Sequence, residues 1–367
     1  MALAAGVLLA ACPSPSGPSA SEGAASGIVA IDPVRPPSNP PAPVERRPVP
    51  AFGPLPAQTQ LAGFNHEYQR LNNCGPVTIG MALSYYGRTE TQYDIAPFLR
   101  PHPQDKNVSV AEMAWYATTL GFEAVYSPAG NLDLLKRLIA EGFPVIIHTW
   151  AVLDAGDDGV GHYQLATGYD QASGTITFHD SYRGPGVRRN FAQVDQDWRI
   201  FGRGFIVISA PARTAEQRAI AGEADGTVRA WQLAARVAEA ELAAAPADAI
   251  AWFNLAEARL RLGDAAGAAQ GFDEARRLGL PTRMLWYQQG PIEAYAKAGR
   301  PHEAIALADA IIREAGVLEE LLYWRAHARL SIGDTAGAAS DLRAVLDFNP
   351  RFEKAAEARA TLAQLAS

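Results

Sequence analysis

The feature that most constrains what this chain can fold into is a recurrence. Leu262-Gly263-Asp264, Ala298-Gly299-Arg300 and Ile332-Gly333-Asp334 are each followed, five residues after the glycine, by an alanine: Ala268, Ala304 and Ala338. The glycines lie 36 and 34 residues apart. A unit of that length, Ala-rich and broken by one turn, is a pair of helices that cannot bury its apolar face alone and must stack on similar neighbours. Residues 226–367 therefore read as an all-helical repeat region. Ala234 to Pro246 supply the second half of a preceding unit, and Pro350 stands where a unit ends. Gly290-Pro291 interrupts the first helix of the middle unit. The small side chains of Ala268, Ala304 and Ala338 let paired helices approach closely.

Upstream, residues 58–211 follow a different rhythm. Helical runs cover Val77 to Tyr86, Val110 to Leu120 and Leu132 to Glu141, closed by Gly87, Gly121 and Gly142, the residue type that tolerates the left-handed turn at a helix end. Pro76 suits the first helical position. The period then shortens. Pro144 to Trp150 is a β-branched run that reads as a buried strand, and Tyr163 to Tyr169, Thr175 to His179 and Arg203 to Ser209 read as further strands. Helices first and adjacent strands after predict an α+β domain.

The chain has 367 residues, 48% of them apolar, enough for about two domains with real cores. Its net charge of −7 argues against a nucleic-acid partner, which calls for a basic stripe. No internal apolar run reaches the ~20 residues that span a bilayer. Residues 1–12 resemble a short signal peptide ending in a bacterial lipoprotein box, Leu9-Ala10-Ala11-Cys12, although no Lys or Arg precedes the apolar run. That resemblance implies export, with a membrane attachment only through lipid on Cys12. Residues 13–57 are rich in Pro, Ser, Ala and Gly, too poor in apolar surface to fold, and read as a tether. If Cys12 carries lipid, the other cysteine, Cys74, has no disulfide partner in the chain and is a reactive-thiol candidate.

Cys74 also has the right address. It stands immediately before a predicted helix, whose N-terminus favours the thiolate, the attacking species in acyl transfer. Gly75 leaves room for a substrate to reach the sulfur. The same thiol as a buried structural cysteine is the competing reading. A base must come from elsewhere in the chain. His162, at the mouth of a strand after the turn Asp157-Asp158-Gly159-Val160-Gly161, is preferred to His148, which lies within a strand, and to His66, His102, His179, His302 and His327. Asp180, at the end of the next predicted strand, would orient the imidazole, and Asp170 reads as a turn residue.

Two blocks carry a resemblance. Gln69-Arg70-Leu71-Asn72-Asn73-Cys74-Gly75-Pro76 with Met81 to Gly87, and Gly161-His162-Tyr163-Gln164-Leu165-Ala166-Thr167-Gly168-Tyr169-Asp170, resemble the corresponding segments of C39-like, papain-fold cysteine peptidases. The resemblance implies a Cys74, His162 and Asp180 triad and an oxyanion-hole donor on Gln69, five residues before the nucleophile. Ser181 stands where that family commonly has Pro. The period of residues 226–367, with Trp252, Leu255, Ala268, Phe272 and Ala275 in the first unit, resembles the tetratricopeptide repeat.

The expectation is thus an exported cysteine peptidase hydrolysing peptide bonds through an S-acyl intermediate, with a peptide or protein substrate. The tetratricopeptide-like part would bind a protein partner or pack as a structural extension. Two alternatives stay open: a silent peptide-binding or scaffold lipoprotein, and a hydrolase of non-peptide amides or thioesters. No cofactor is called for, there is no Gly-rich phosphate loop, and no Asp, Glu and His cluster has metal-ligand spacing.

Overall fold

A computed structural model describes residues 52–153, 156, 158–281 and 283–366. The apolar N-terminal run, Cys12 and most of the Pro-rich stretch lie outside the described residues, as does Asp157. The described residues form one compact unit.

Its first part is α+β. In chain order it comprises β1 (Gln58–Gln60), α1 (Cys74–Ser84), α2 (Gln92–Leu99), α3 (Val110–Thr119), β2 (Glu123–Ser127), α4 (Leu132–Ala140), β3 (Val145–Ala151), β4 (Val160–Asp170), β5 (Thr175–Asp180), β6 (Gly184–Asn190), α5 (Phe191–Arg199), β7 (Phe205–Ser209) and α6 (Thr214–Ala221). The strands pair antiparallel in the order β2-β7-β3-β4-β5-β6, and β1 pairs the far end of β4. Alternation builds two cores, because successive side chains of a strand point to opposite faces. Ile146, Ile206 and Ile208 join Val77, Ile79, Leu83, Ile95 and Met113 on one face. Val145, Ile147, Phe205 and Val207 join Leu135, Leu138, Val194 and Trp198 on the other. Covered on both sides, β3 is buried at all seven positions, His148 and Thr149 included, which is why its sequence shows no alternation of apolar and exposed polar residues.

The glycines read as helix stops adopt positive φ: Gly87 at 83°, Gly121 at 84° and Gly142 at 83°. Helix α1 differs slightly from the sequence reading. It begins at Cys74 itself, so Pro76 is its third residue rather than its first. That position is still within the first turn, where no backbone donor is needed.

The second part is helical: α7 (Val228–Ala244), α8 (Ala249–Arg261), α9 (Ala265–Leu278), α10 (Gly290–Lys297), α11 (Pro301–Ala315), α12 (Glu319–Ser331), α13 (Thr335–Phe348) and α14 (Ala355–Leu365). The recurring Gly-Asp pair has a local cause. Gly263 and Gly333, at φ 92° and 82°, turn the chain, and Asp264 and Asp334 then cap the next helix by accepting from the N–H groups of Gly267 and Gly337. Ala268, Ala304 and Ala338 are completely buried between helices. Gly290-Pro291 opens α10 instead of interrupting a longer helix. No helix among the described residues is long and apolar enough to cross a membrane.

The two parts share a polar seam. Asn349 Nδ2 donates to Glu112 Oε1 and to Glu319 Oε1, each at 2.9 Å. Asn107 donates to the Trp286 carbonyl and Lys106 to that of Ala315. Arg199 bonds both Glu241 and Asp248. Phe201 and Trp150 pack into the helical core beside Phe253 and Phe272.

Candidate active site

The chain enters α1 through a sharp turn. Asn72 takes a left-handed φ of 61°, which Asn tolerates better than most residues, and the Asn73 N–H closes on the Arg70 carbonyl at 3.0 Å. Asn73, before the nucleophile, is buried and pinned from both sides. Its Nδ2 donates to Gln92 Oε1 at 2.9 Å, and its Oδ1 accepts from Arg100. Gln92, 2% exposed, gives its amide nitrogen to Glu67 and to the Tyr68 carbonyl. The turn is thereby rigid, and Cys74 is delivered as the first residue of α1, half-buried, with no acidic residue in that first turn. The partial positive charge of the helix start therefore acts on the sulfur unopposed from its own turn.

Adjacent antiparallel strands bring the second and third residues together. Leu165 of β4 pairs with His179 of β5, so the start of β4 lies along the end of β5. His162 Nε2 is 3.0 Å from Asp180 Oδ1, and both side chains are buried. The other ring nitrogen, Nδ1, is buried without a hydrogen-bonding partner of ordinary geometry. Cys74 is the group that acts on the ring besides Asp180. Burial pushes the imidazole down, but the hydrogen bonds and charges of Asp180 and Cys74 outweigh it and hold His162 up at about 9. Burial pushes the Asp180 carboxyl up, yet the His162 bond and the Tyr182 and Arg183 N–H groups, at 2.8 and 3.0 Å from Oδ1, leave it below its usual value.

Gln69 reaches the same neighbourhood. Its N–H donates to the Ser181 carbonyl at 2.9 Å, and its Oε1 accepts from Ser181 Oγ at 2.7 Å. Ser181, the residue at which the sequence departs from its resemblance, thus fixes the Gln69 amide through its oxygen. Gln164 was missed by the sequence reading. Its Nε2 donates to Asp180 Oδ2 at 2.7 Å and its Oε1 accepts from Thr149 and Arg189. Two residues beyond His162 on one strand, it shares that residue's face, and this period-two signal could have found it.

The rival residues sit elsewhere. His148 is stacked between Tyr163 and Phe201, with centroids 4.3 and 3.5 Å away, and burial drives it down to about 3. It is neutral at physiological pH. Asp170 closes the β4–β5 turn by accepting from Ala172 and Ser173 N–H groups. His179 lies against Phe64 and His66. Among the described residues, no group of three or more His, Cys, Asp and Glu is placed to hold a metal ion.

Residues 54–205 match the model of the Peptidase_C39 like family. This C39-like domain includes Gln69, Cys74, His162 and Asp180. The chain is also similar to the peptidase domain of Streptococcus ComA, a bifunctional ABC transporter involved in a quorum-sensing pathway. Identity is 16%, 40% of this chain and 98% of that one are covered, and the TM-score is 0.33. A double-glycine motif protease from an AMS/PCAT transporter, solved in complex with the leader peptide, is 18% identical over 41% of this chain and 96% of that one, with a TM-score of 0.31. No curated protein matches the chain.

Proposed function

We propose that the chain is a cysteine peptidase in which Cys74 attacks a peptide carbonyl and His162 moves the proton. The observation that carries this reading is the buried His162–Asp180 bond of 3.0 Å on an imidazole whose free nitrogen is left to Cys74. A protonated imidazole beside the sulfur is the partner a thiolate needs. The Cys74 thiolate adds to the carbonyl carbon. The oxygen takes the negative charge, and the Cys74 N–H at the helix start and Gln69 Nε2 donate to it. His162 gives its proton to the departing amine as the C–N bond breaks, which leaves an S-acyl enzyme. Water then attacks, His162 takes its proton, and the thiolate leaves with release of the acid. Asp180 holds the ring and stabilises its charged form.

Two measurements test this. A thiol-directed probe, mapped by peptide mass, is expected to label Cys74 in the folded protein. A peptide-substrate screen is expected to give turnover that Cys74→Ala abolishes. Labelling of Cys74 only in denaturant, with no turnover, would sink the proposal. Gln69→Ala is expected to lower kcat by roughly 10²- to 10³-fold with little change in KM, since the donor acts on charge that exists only in the transition state. An unchanged kcat would remove Gln69 from the oxyanion site. We further read the helical part as tetratricopeptide-like, acting in peptide or protein binding, and the enzyme as exported and tethered through Cys12. The repeat of Gly263, Gly299 and Gly333 and the Leu9-Ala10-Ala11-Cys12 stretch support these two readings.

A further inference from the structure

The cleft that bares Cys74 is not made by the C39-like domain alone. It encloses about 800 Å³, with Cys74, Val108 and Tyr163 on one side and Tyr287, Glu320 and Tyr323 of the helical part on the other. Most charges around it are already matched. Arg203 pairs with Asp195 and Glu241, and Arg261 with Glu257 and Glu293. Lys297 pairs with Glu293 and Lys354 with Glu357, while Lys106 donates to the Ala315 carbonyl.

Glu320 has no such ion pair among the described residues and stands apart by its burial. Its Oε2 is buried and has no hydrogen-bonding partner. Behind it converge Asp105, Glu112 and Glu319, which act on it as like charges. Asp105 is 1% exposed and its Oδ2 is also unpartnered. The positive charge nearby is limited. Arg100 is engaged with Asn73 and the Asp105 carbonyl and acts on the Asp105 carboxyl, and His102 acts on Glu319. Burial first, then repulsion by neighbouring carboxyls, push Asp105 up to about 8 and Glu112 up to about 7 and raise Glu320, while burial alone raises Glu319. Neither Arg100 on Asp105 nor His102 on Glu319 outweighs that burial. Glu320 lines the same cleft as Tyr163 and Cys74.

We propose that Glu320 receives a Lys or Arg side chain of an extended peptide lying across Cys74, so that the helical part selects the substrate. The proposal rests on the peptidase reading for what enters the cleft. An incoming ammonium or guanidinium supplies the partner that Glu320 Oε2 lacks and favours the ionised carboxyl, and the helical part supplies a carboxyl that the C39-like domain lacks at this wall.

Binding is the test, because it does not require turnover. Peptides carrying one Lys, Arg, Gln or Glu, moved stepwise along a neutral frame, are titrated against the Cys74→Ala chain, with and without Glu320→Gln. The expected result is one register at which Lys and Arg bind roughly 10- to 100-fold tighter than Gln, with Glu weakest. Glu320→Gln, checked by its melting temperature, should erase that difference. Equal binding of Lys and Gln peptides with Glu320 intact would overturn the proposal. So would a preference that survives Glu320→Gln, or no binding by any peptide. Failure of the peptidase reading has a different signature: selective binding by Glu320, but no turnover by the unsubstituted chain.

Discussion

His162→Ala is expected to cut kcat/KM for a peptide substrate by about 10⁴-fold or more, the scale seen when the proton-carrying member of a nucleophile–base pair is removed. The loss has two physical sources. On the proposed mechanism the sulfur loses the group that takes its proton, and the leaving amine loses its proton donor. A second readout separates them. Alkylation of Cys74 by a small neutral reagent needs the thiolate but no leaving-group proton, so its rate at neutral pH should fall by a smaller factor than turnover. The substitution also removes the imidazole from the buried Asp180 carboxylate, which keeps Gln164, the Tyr182 and Arg183 N–H groups and the Arg183 guanidinium at 3.9 Å. A lowered melting temperature is therefore expected, and kinetics must be taken well below it. Retention of more than a tenth of the original kcat/KM in the folded variant would exclude His162 as the base.

The candidate site was legible in the sequence to the extent that its signals are local. Cys74 precedes a glycine, a proline and a helical run closed by Gly87, and these are neighbours in the chain. His162 follows a glycine-rich turn into a strand. Asp180 follows from the pairing of consecutive strands, the usual arrangement of antiparallel neighbours. The supports were not legible. Gln92, Asn73 and Arg100 converge across 27 positions of sequence, and nothing in the pattern marks Gln92 as buried. Strand β6 was also missed, since Gly184-Pro185-Gly186 reads as a loop. It is an edge strand, where Pro and Gly are tolerated. Helix α2 was missed because Pro97 breaks its pattern, although Thr91 and Asp94 form a capping box that marks its start.

The helical repeat shows the same division. The Gly-Asp turns, the spacing and the buried alanines follow from contacts within one unit or between neighbouring units. How this array meets the C39-like domain does not. The Asn349–Glu112 bond joins residues 237 positions apart, and the carboxyls that crowd the seam come from both parts. Such a surface has no periodic signal. A sequence reading could only leave open whether the helices bind a partner or brace the catalytic part, and the cleft shows that their surface borders Cys74 directly.

Asp180→Asn is expected to move the alkaline limb of the pH–rate profile. In the unsubstituted chain the imidazole stays protonated up to about 9, so activity should hold to that pH and fall above it as the ion pair with the thiolate is lost. Asn keeps an oxygen for the Tyr182 and Arg183 N–H groups but carries no charge. The lowering effect of burial on His162 then meets only Cys74, and the limb should retreat toward the ordinary imidazole value of 6.5. Stability follows with a definite sign. A histidine raised in the folded state contributes fully below 6.5 and loses that contribution as pH rises through about 9, a span worth on the order of 3 kcal/mol. Denaturant melts of the unsubstituted chain should weaken between those two values, and Asp180→Asn should flatten much of that slope. An alkaline limb that stays near 9 in the variant would mean that Asp180 positions the ring without setting its charge.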